Sequence, residues 1–236
     1  WGGDDPFRMT APENIRDLQV DLPPGFLGDP TVLDECKPAQ LVSDACPASS
    51  QVGRFDGLLY PINVDHHTAY STGIFNMEAP KGSIADLAFT VTGAPVHIRA
   101  SLDPERNYAI RTFVPNITET LAVYASKATI WGVPADPSHD SERCPIFTSG
   151  GVANGGDTTD SCPAGKPRKP FITVPSQCAE PSKMTLSHYD SWDAPGVFGP
   201  DVDYELPGNF TDCAASQAEF DPDVSIVPTS PKADSP

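Results

Sequence analysis

From Gln51 onward apolar and polar residues alternate in short runs. Val96, Ile98, Ala100 and Leu102 alternate with His97, Arg99 and Ser101. Tyr108, Ile110, Thr112 and Val114 alternate with Ala109, Arg111 and Phe113, and Asp103-Pro104-Glu105-Arg106-Asn107 lies between the two runs. Period-two runs about a turn-rich connector predict a hairpin, with Arg99 and Arg111 sharing its exposed face. Ile84 to Thr92 reads as another strand, ended by Gly93, and Leu121 to Val133 as a further one with Trp131 near its end. Upstream, Ile15, Leu18, Val20 and Leu22 make a short strand that Pro23-Pro24-Gly25 stops. Thr31 to Ala45 is the one plausible helical stretch, capped by Asp29-Pro30 or Thr31 and limited to one or two turns. Phe171–Val174, Met184–Tyr189 and Val224–Val227 look like short strands. Short strands with regular turn punctuation predict an all-β chain, a Greek-key-like β-sandwich with long disulfide-pinned loops.

Residues 134–170 break the pattern: a Pro- and Asp-rich stretch before Cys144, then Gly150–Asp157, then Cys162. Loops this long are often functional, or else disordered. The expected organisation is an N-terminal extension over 1–14, one β-domain over 15–227 with a sub-boundary near 140–170, and a linker over 228–236 toward a following domain.

Composition sharpens the compartment. With 27 prolines among 236 residues, long helices are excluded and the chain is cut into extended pieces. A net charge of −17 disfavours nucleic acid and anionic membrane surfaces, and no apolar run approaches membrane length. The cysteines are Cys36, Cys46, Cys144, Cys162, Cys178 and Cys213, an even number with no C-x-x-C pair. Disulfides, and hence an oxidising, extracellular or cell-surface location, are the better reading than zinc. The connectivity is open; the local set, Cys36 with Cys46, Cys144 with Cys162 and Cys178 with Cys213, is favoured.

Two stretches carry a resemblance. One is Asp21-Leu-Pro-Pro-Gly-Phe-Leu-Gly-Asp-Pro30, then Cys36, then Ala45-Cys-Pro-Ala-Ser-Ser-Gln-Val-Gly53. The other is Leu121 to Cys144, centred on Trp131-Gly-Val-Pro-Ala-Asp-Pro-Ser-His-Asp140. Together they resemble a group of large secreted or surface proteins of actinobacteria. The resemblance implies an exported modular surface protein of which this chain is a segment, and it supplies no catalytic residues.

The candidate chemistry is sparse. Asp136-Pro-Ser-His-Asp140 could orient His139 as a general base, but no nucleophile elbow accompanies it. The plainer alternative is a turn whose Asp side chains accept from nearby backbone N–H groups. Asp136, His139 and Asp140 are kept as ligand-contact candidates. His66 and His67, adjacent in a loop, suit no shared metal. His97 and His188 sit on polar strand faces. Asp201, Asp203 and Glu205 alternate and share one face, so calcium is the candidate ion there, against a solvated acidic edge; no other cofactor is expected. Trp192, in a turn-rich setting, is the candidate for a carbohydrate face, whereas Trp131 belongs in the core. Asn116 and Asn209 begin glycosylation sequons that matter only in a host that glycosylates that way.

These readings add up to a structural, adhesive or assembly module without catalysis, of the kind found in extracellular filaments. Its partners would be other domains of the same protein, neighbouring subunits or a polysaccharide. The alternatives are a carbohydrate- or calcium-dependent recognition module and a secreted hydrolase centred on His139.

Overall fold

The computed structural model describes residues 13–61, 68–119, 121–143, 162–175 and 183–205. The expected pairings of Cys144, Cys178 and Cys213, the strand over Val224–Val227, the His66-His67 pair, the Asn209 sequon and the terminal segments lie outside them.

The described residues form eleven strands. They are β1 (Ile15–Asp21), β2 (Leu27–Gly28), β3 (Gln51–Pro61), β4 (Thr68–Met77), β5 (Ala85–Val91), β6 (Ala94–Asp103), β7 (Ala109–Val114), β8 (Leu121–Ile130), β9 (Ile172–Thr173), β10 (Lys183–Ser191) and β11 (Val202–Glu205). Nine form one antiparallel sheet in the order β11-β10-β1-β7-β6-β5-β4-β3-β8, and β2 pairs with β9. The class is all-β, as the alternation implies. β3 to β7 run as a meander, and β8 then returns beside β3, a Greek-key-like return.

That return forces the sheet to curl. In a flat sheet β7 and β8 would stand five strand spacings apart, about 24 Å. Residues 115–120 could bridge that only fully extended, at roughly 3.4 Å per residue. Asn116, with φ of 52°, is not extended. The curl brings the two strands together and supplies the facing layers that the sequence pattern assigns to a sandwich. Inside it Phe55 and Phe89 stack with centroids 4.3 Å apart, among Val52, Leu59, Ile74, Val91 and Val96.

The expected hairpin is β6 and β7, in register from Arg99 opposite Phe113 to Asp103 opposite Ala109. One detail differs. Tyr108 has φ of 55° and is exposed, so β7 starts at Ala109: the connector closes through two left-handed residues, Asn107 and Tyr108. The helical stretch splits into a 3-10 turn at Pro30–Val32, capped by the Asp29 side chain, and α1 (Pro38–Val42). Leu41 and the Cys36–Cys46 disulfide pack with Met77 and Ala88 on the outer side of β4 and β5. Asn76, fully buried, donates to the carbonyls of Pro30 at 3.0 Å and Asp34 at 3.2 Å, tying this strap down. The disulfide closes the strap's loop, which stabilises by about 2–4 kcal/mol.

β5 and β6 join through Thr92-Gly93, with φ of 49° and 88° between the paired Val91 and Ala94. Both positive values mark the hairpin turn whose twist matches the strands, and Asn is its favoured first residue. A threonine there strains its β-branch. Thr92→Asn is therefore expected to stabilise the fold by about 1 kcal/mol, read as a higher urea midpoint at unchanged slope. An unchanged or lower midpoint would count against the turn assignment.

Candidate functional site

The curl leaves a cavity of about 140 Å³ between its own walls. Phe55 and Leu59 of β3, Phe89 and Val91 of β5, and Val96 and Ile98 of β6 form its floor. Leu18 and Val114 close one side, Ile117 sits in the β7–β8 connection, and Val123, Ser126 and Ala128 of β8 form the opposite wall. Strands six places apart in the sheet order, β1 and β8, thus face each other across it.

Its origin is in the side chains of β8. Ser126 faces Gly57 and Ala128 faces Phe55 across the β3–β8 pair. Small residues line the inward positions where large ones would fill the core, and both Ser126 and Ala128 are exposed. The outward-facing residues Ala125 and Lys127 are exposed as well, so β8 is open on both faces over Ala125–Ala128. Among the described residues β8 pairs on one side only, with β3. Only Asn14, Thr118 and Ser126 bring polar side chains to the lining. A cavity water needs two to four polar partners, and the deep end offers it no polar side chain.

Trp192 is engaged on one side by neighbouring residues of the chain. It is half-buried, its Nε1–H donates to the Ile117 carbonyl at 2.8 Å, and the Arg16 guanidinium lies 5.5 Å from its ring centroid. Its backbone N–H donates to the Asn14 carbonyl at 3.0 Å. The ring is a clasp beside the cavity mouth, holding Asn14 and Ile117, two of the lining residues, in place. Buried Asp190 supports it, accepting from the backbone N–H groups of Asp17 at 3.0 Å and Gly196 at 2.6 Å.

Asp136, His139 and Asp140 do come together, around Trp131. Trp131 follows β8, is buried, and donates its backbone N–H to the Val52 carbonyl at 2.9 Å. The His139 ring stacks flat on it at 4.4 Å. Arg143, with no side-chain exposure, covers it from 5.2 Å and reaches Asp140 Oδ1 at 3.4 Å. A second guanidinium nitrogen of Arg143 donates to the Pro134 carbonyl. Burial pulls the Arg143 pKa below its usual range, against the opposing Asp140 carboxylate. Asp136 caps the 3-10 turn at Pro137–His139 by accepting from the Ser138 N–H at 3.0 Å. Hydrogen bonds from Ser138 hold its carboxyl below the usual range, helped by the charges of Arg168 and His139. These are the contacts of a folded loop cap. Arg143 is the residue the sequence reading passed over, because a cation beside Cys144 gives no sign that it will be buried against a tryptophan.

Asp203 and Glu205 alternate along the edge strand β11, with Asp201 just before it; all three are exposed, and Asp203 accepts from the Thr185 hydroxyl at 2.9 Å. Among the described residues no group of three or more His, Cys, Asp or Glu side chains is placed to hold a metal ion. His97 pairs with Asp86 at 2.9 Å, and His188 meets Gln19 at 3.4 Å and the edge of Phe198. Cys162 is also disulfide-bonded, and no described cysteine is free, which fits an oxidising environment. No helix among the described residues is long and apolar enough to cross a membrane.

The strongest electrostatic feature is structural. Asp21, the buried end of β1, accepts from Arg111 Nε at 2.7 Å and Arg106 Nη1 at 2.6 Å, and Arg111 reaches on to Asp103 at 2.6 Å. Comparison with known proteins finds no match: no family model, curated protein or solved structure corresponds to this chain.

Burial pushes the Asp21 carboxyl up; hydrogen bonds from Arg111 and Ser187 and the charges of Arg111 and Arg106 outweigh it, so its pKa lies below the usual range. A depressed folded-state value means stability present above the unfolded value, near 3.9, and lost as pH falls below it. Asp21→Asn is expected to cost about 1.5–3 kcal/mol at pH 7. The gap to the wild type should narrow as the pH drops from about 5 toward 2. Urea unfolding across that range checks this; a gap that stays constant would show that the charge of Asp21 contributes nothing.

Proposed function

We propose that this chain is a non-catalytic, disulfide-stapled module of a secreted or cell-surface protein, and that it joins neighbouring subunits through the open edge of β8. The observation that carries the reading is β8 itself. It is ten residues long, carries Lys127 as its only charge, and is exposed on both faces over Ala125–Ala128. Folded proteins ordinarily protect such an edge with charges, prolines or a covering segment, because its unpaired backbone groups template another strand. Addition of a strand to a sheet edge is a common mode of protein association. The paired cysteines support the exported location, and the likeness to actinobacterial surface proteins supports the modular setting.

The hydrolase reading has less behind it. The His139 ring is spent on Trp131, and its two acidic neighbours cap the turn and pair with Arg143. Carbohydrate recognition at Trp192 is weakened in the same way, since Arg16 lies over the ring and Ile117 takes its N–H.

Sedimentation velocity at rising protein concentration, in enough salt to screen the net charge of −17, tests the reading. Concentration-dependent association is expected for the wild type and its loss in Ser126→Lys, which points a charge inward from the edge. A wild type that stays monomeric at about 0.1 mM, or an unaffected variant, would sink this proposal; in that range a pairing with Kd of about 1 μM is nearly complete.

A further inference from the structure

The cavity has properties the edge does not need. An edge that only pairs strands requires backbone groups, and a filled core behind it would serve as well. Here the inward positions of β8 at Ser126 and Ala128 are small, and a mainly apolar space of about 140 Å³ lies behind them. We propose that this cavity is a binding site for a small uncharged apolar molecule, about one aromatic ring in size, entering at the seam between β8 and the β7–β8 connection.

The size sets the occupant. A protein cavity of roughly 150 Å³ lined by Leu, Ile and Phe stays dry and admits benzene. This one has the same character, with Phe55, Leu59, Phe89, Val96 and Ile98 deep inside. The walls are strands paired on both sides, apart from β8, and the Phe55–Phe89 stack fixes the floor, so the space is held open by the fold. The lining also sets the ligand's orientation. Its polar side chains are Asn14, Thr118 and Ser126, all at the seam, so a single hydroxyl or carbonyl would be accommodated there and nowhere deeper. Charge is excluded: burial of an ion against these walls is unfavourable, and anions meet the field of an acidic protein as well.

Benzene, as the neutral probe, and sodium benzoate, as a charged one of similar size, separate the outcomes. Thermal unfolding of the oxidised full chain should rise by about 3–5 °C with benzene at ten times its Kd and stay unchanged with benzoate. Ala128→Phe and Ser126→Leu place apolar bulk in the space from its rim and should abolish the benzene response. Lys127→Leu, on the opposite face of the same strand, should keep it. Two filling variants are used so that one that fails to fold does not decide the matter. The proposal is overturned if benzene gives no rise in the wild type, if the folded filling variants respond as the wild type does, or if benzoate is as effective as benzene. Because the readout is made at a concentration where the protein is monomeric, it stands or falls independently of association through β8.

Discussion

A β-strand has two edges, and β1 uses both. It pairs with β7 through Leu18–Asp21 and with β10 along its whole length. This one constraint shapes the molecule. The curl that begins at β7 and runs through β6, β5, β4 and β3 to β8 brings β8 round to face β1, where it meets a strand already paired with β10 on one side and, over Leu18–Asp21, with β7 on the other. A barrel closed at that point would remove its edges altogether. Here closure is blocked, and β10 and β11 continue the sheet away from the seam. The side of β8 that has no strand partner among the described residues and the cavity behind it are two consequences of the same doubly paired strand.

The double pairing of β1 is held electrostatically at one end and by packing at the other. At the β7 end, Asp21 is locked between Arg106 and Arg111, with Thr185 of β10 and Asp203 of β11 continuing the polar row. Carboxylate and guanidinium groups meet here at the rim of the outer face, where water still reaches the arginines. That geometry favours a net gain over the desolvation cost that fully buried pairs incur. At the other end Trp192 bonds to Ile117 and Asn14, fastening β10 to the connection that crosses the mouth of the curl. The two fastenings keep β1 enclosed and β8 excluded.

Local patterns in the sequence were legible and distant ones were not. Strict alternation at Val96–Leu102 and Ile110–Val114 placed the hairpin, and the turn chemistry at Gly93 ended β5 where it does end. Cys36 and Cys46 are close enough in sequence for their pairing to follow from proximity. Trp131 as a core residue was legible from its position at the end of an apolar run. The enclosure of β1 was not, because Leu18 pairs across to Val114 and Tyr189, residues far along the chain in which nothing marks them as partners. Trp192 read as exposed because its turn-rich neighbourhood is exposed; its clasp depends on a contact with Ile117 that only the tertiary fold creates. The cavity was hidden for a different reason. Its signal is a weakness in a pattern, the Ser126 and Ala128 inward positions of β8, and a small residue in a strand reads as poor propensity unless the facing wall is known.

Charge and cavity bear on function from opposite scales. The net charge of −17 acts over distances set by salt, about 8–10 Å at physiological ionic strength, and opposes approach of a second acidic chain or an anionic ligand. The seam acts only at contact. Along Ala125–Ala128 the sole charge is the outward-facing Lys127, so a neutral strand or a neutral ring meets no opposing charge on β8 once it arrives. Association through this edge would therefore be slow in dilute salt and faster as screening rises, while its lifetime would be set by backbone pairing and apolar contact, which salt barely touches. If chains join as proposed, an acidic exterior around an edge whose one charge over Ala125–Ala128 is Lys127 would oppose accidental pairing at a distance and leave pairing to close range, which would suit chains concentrated and aligned before they join.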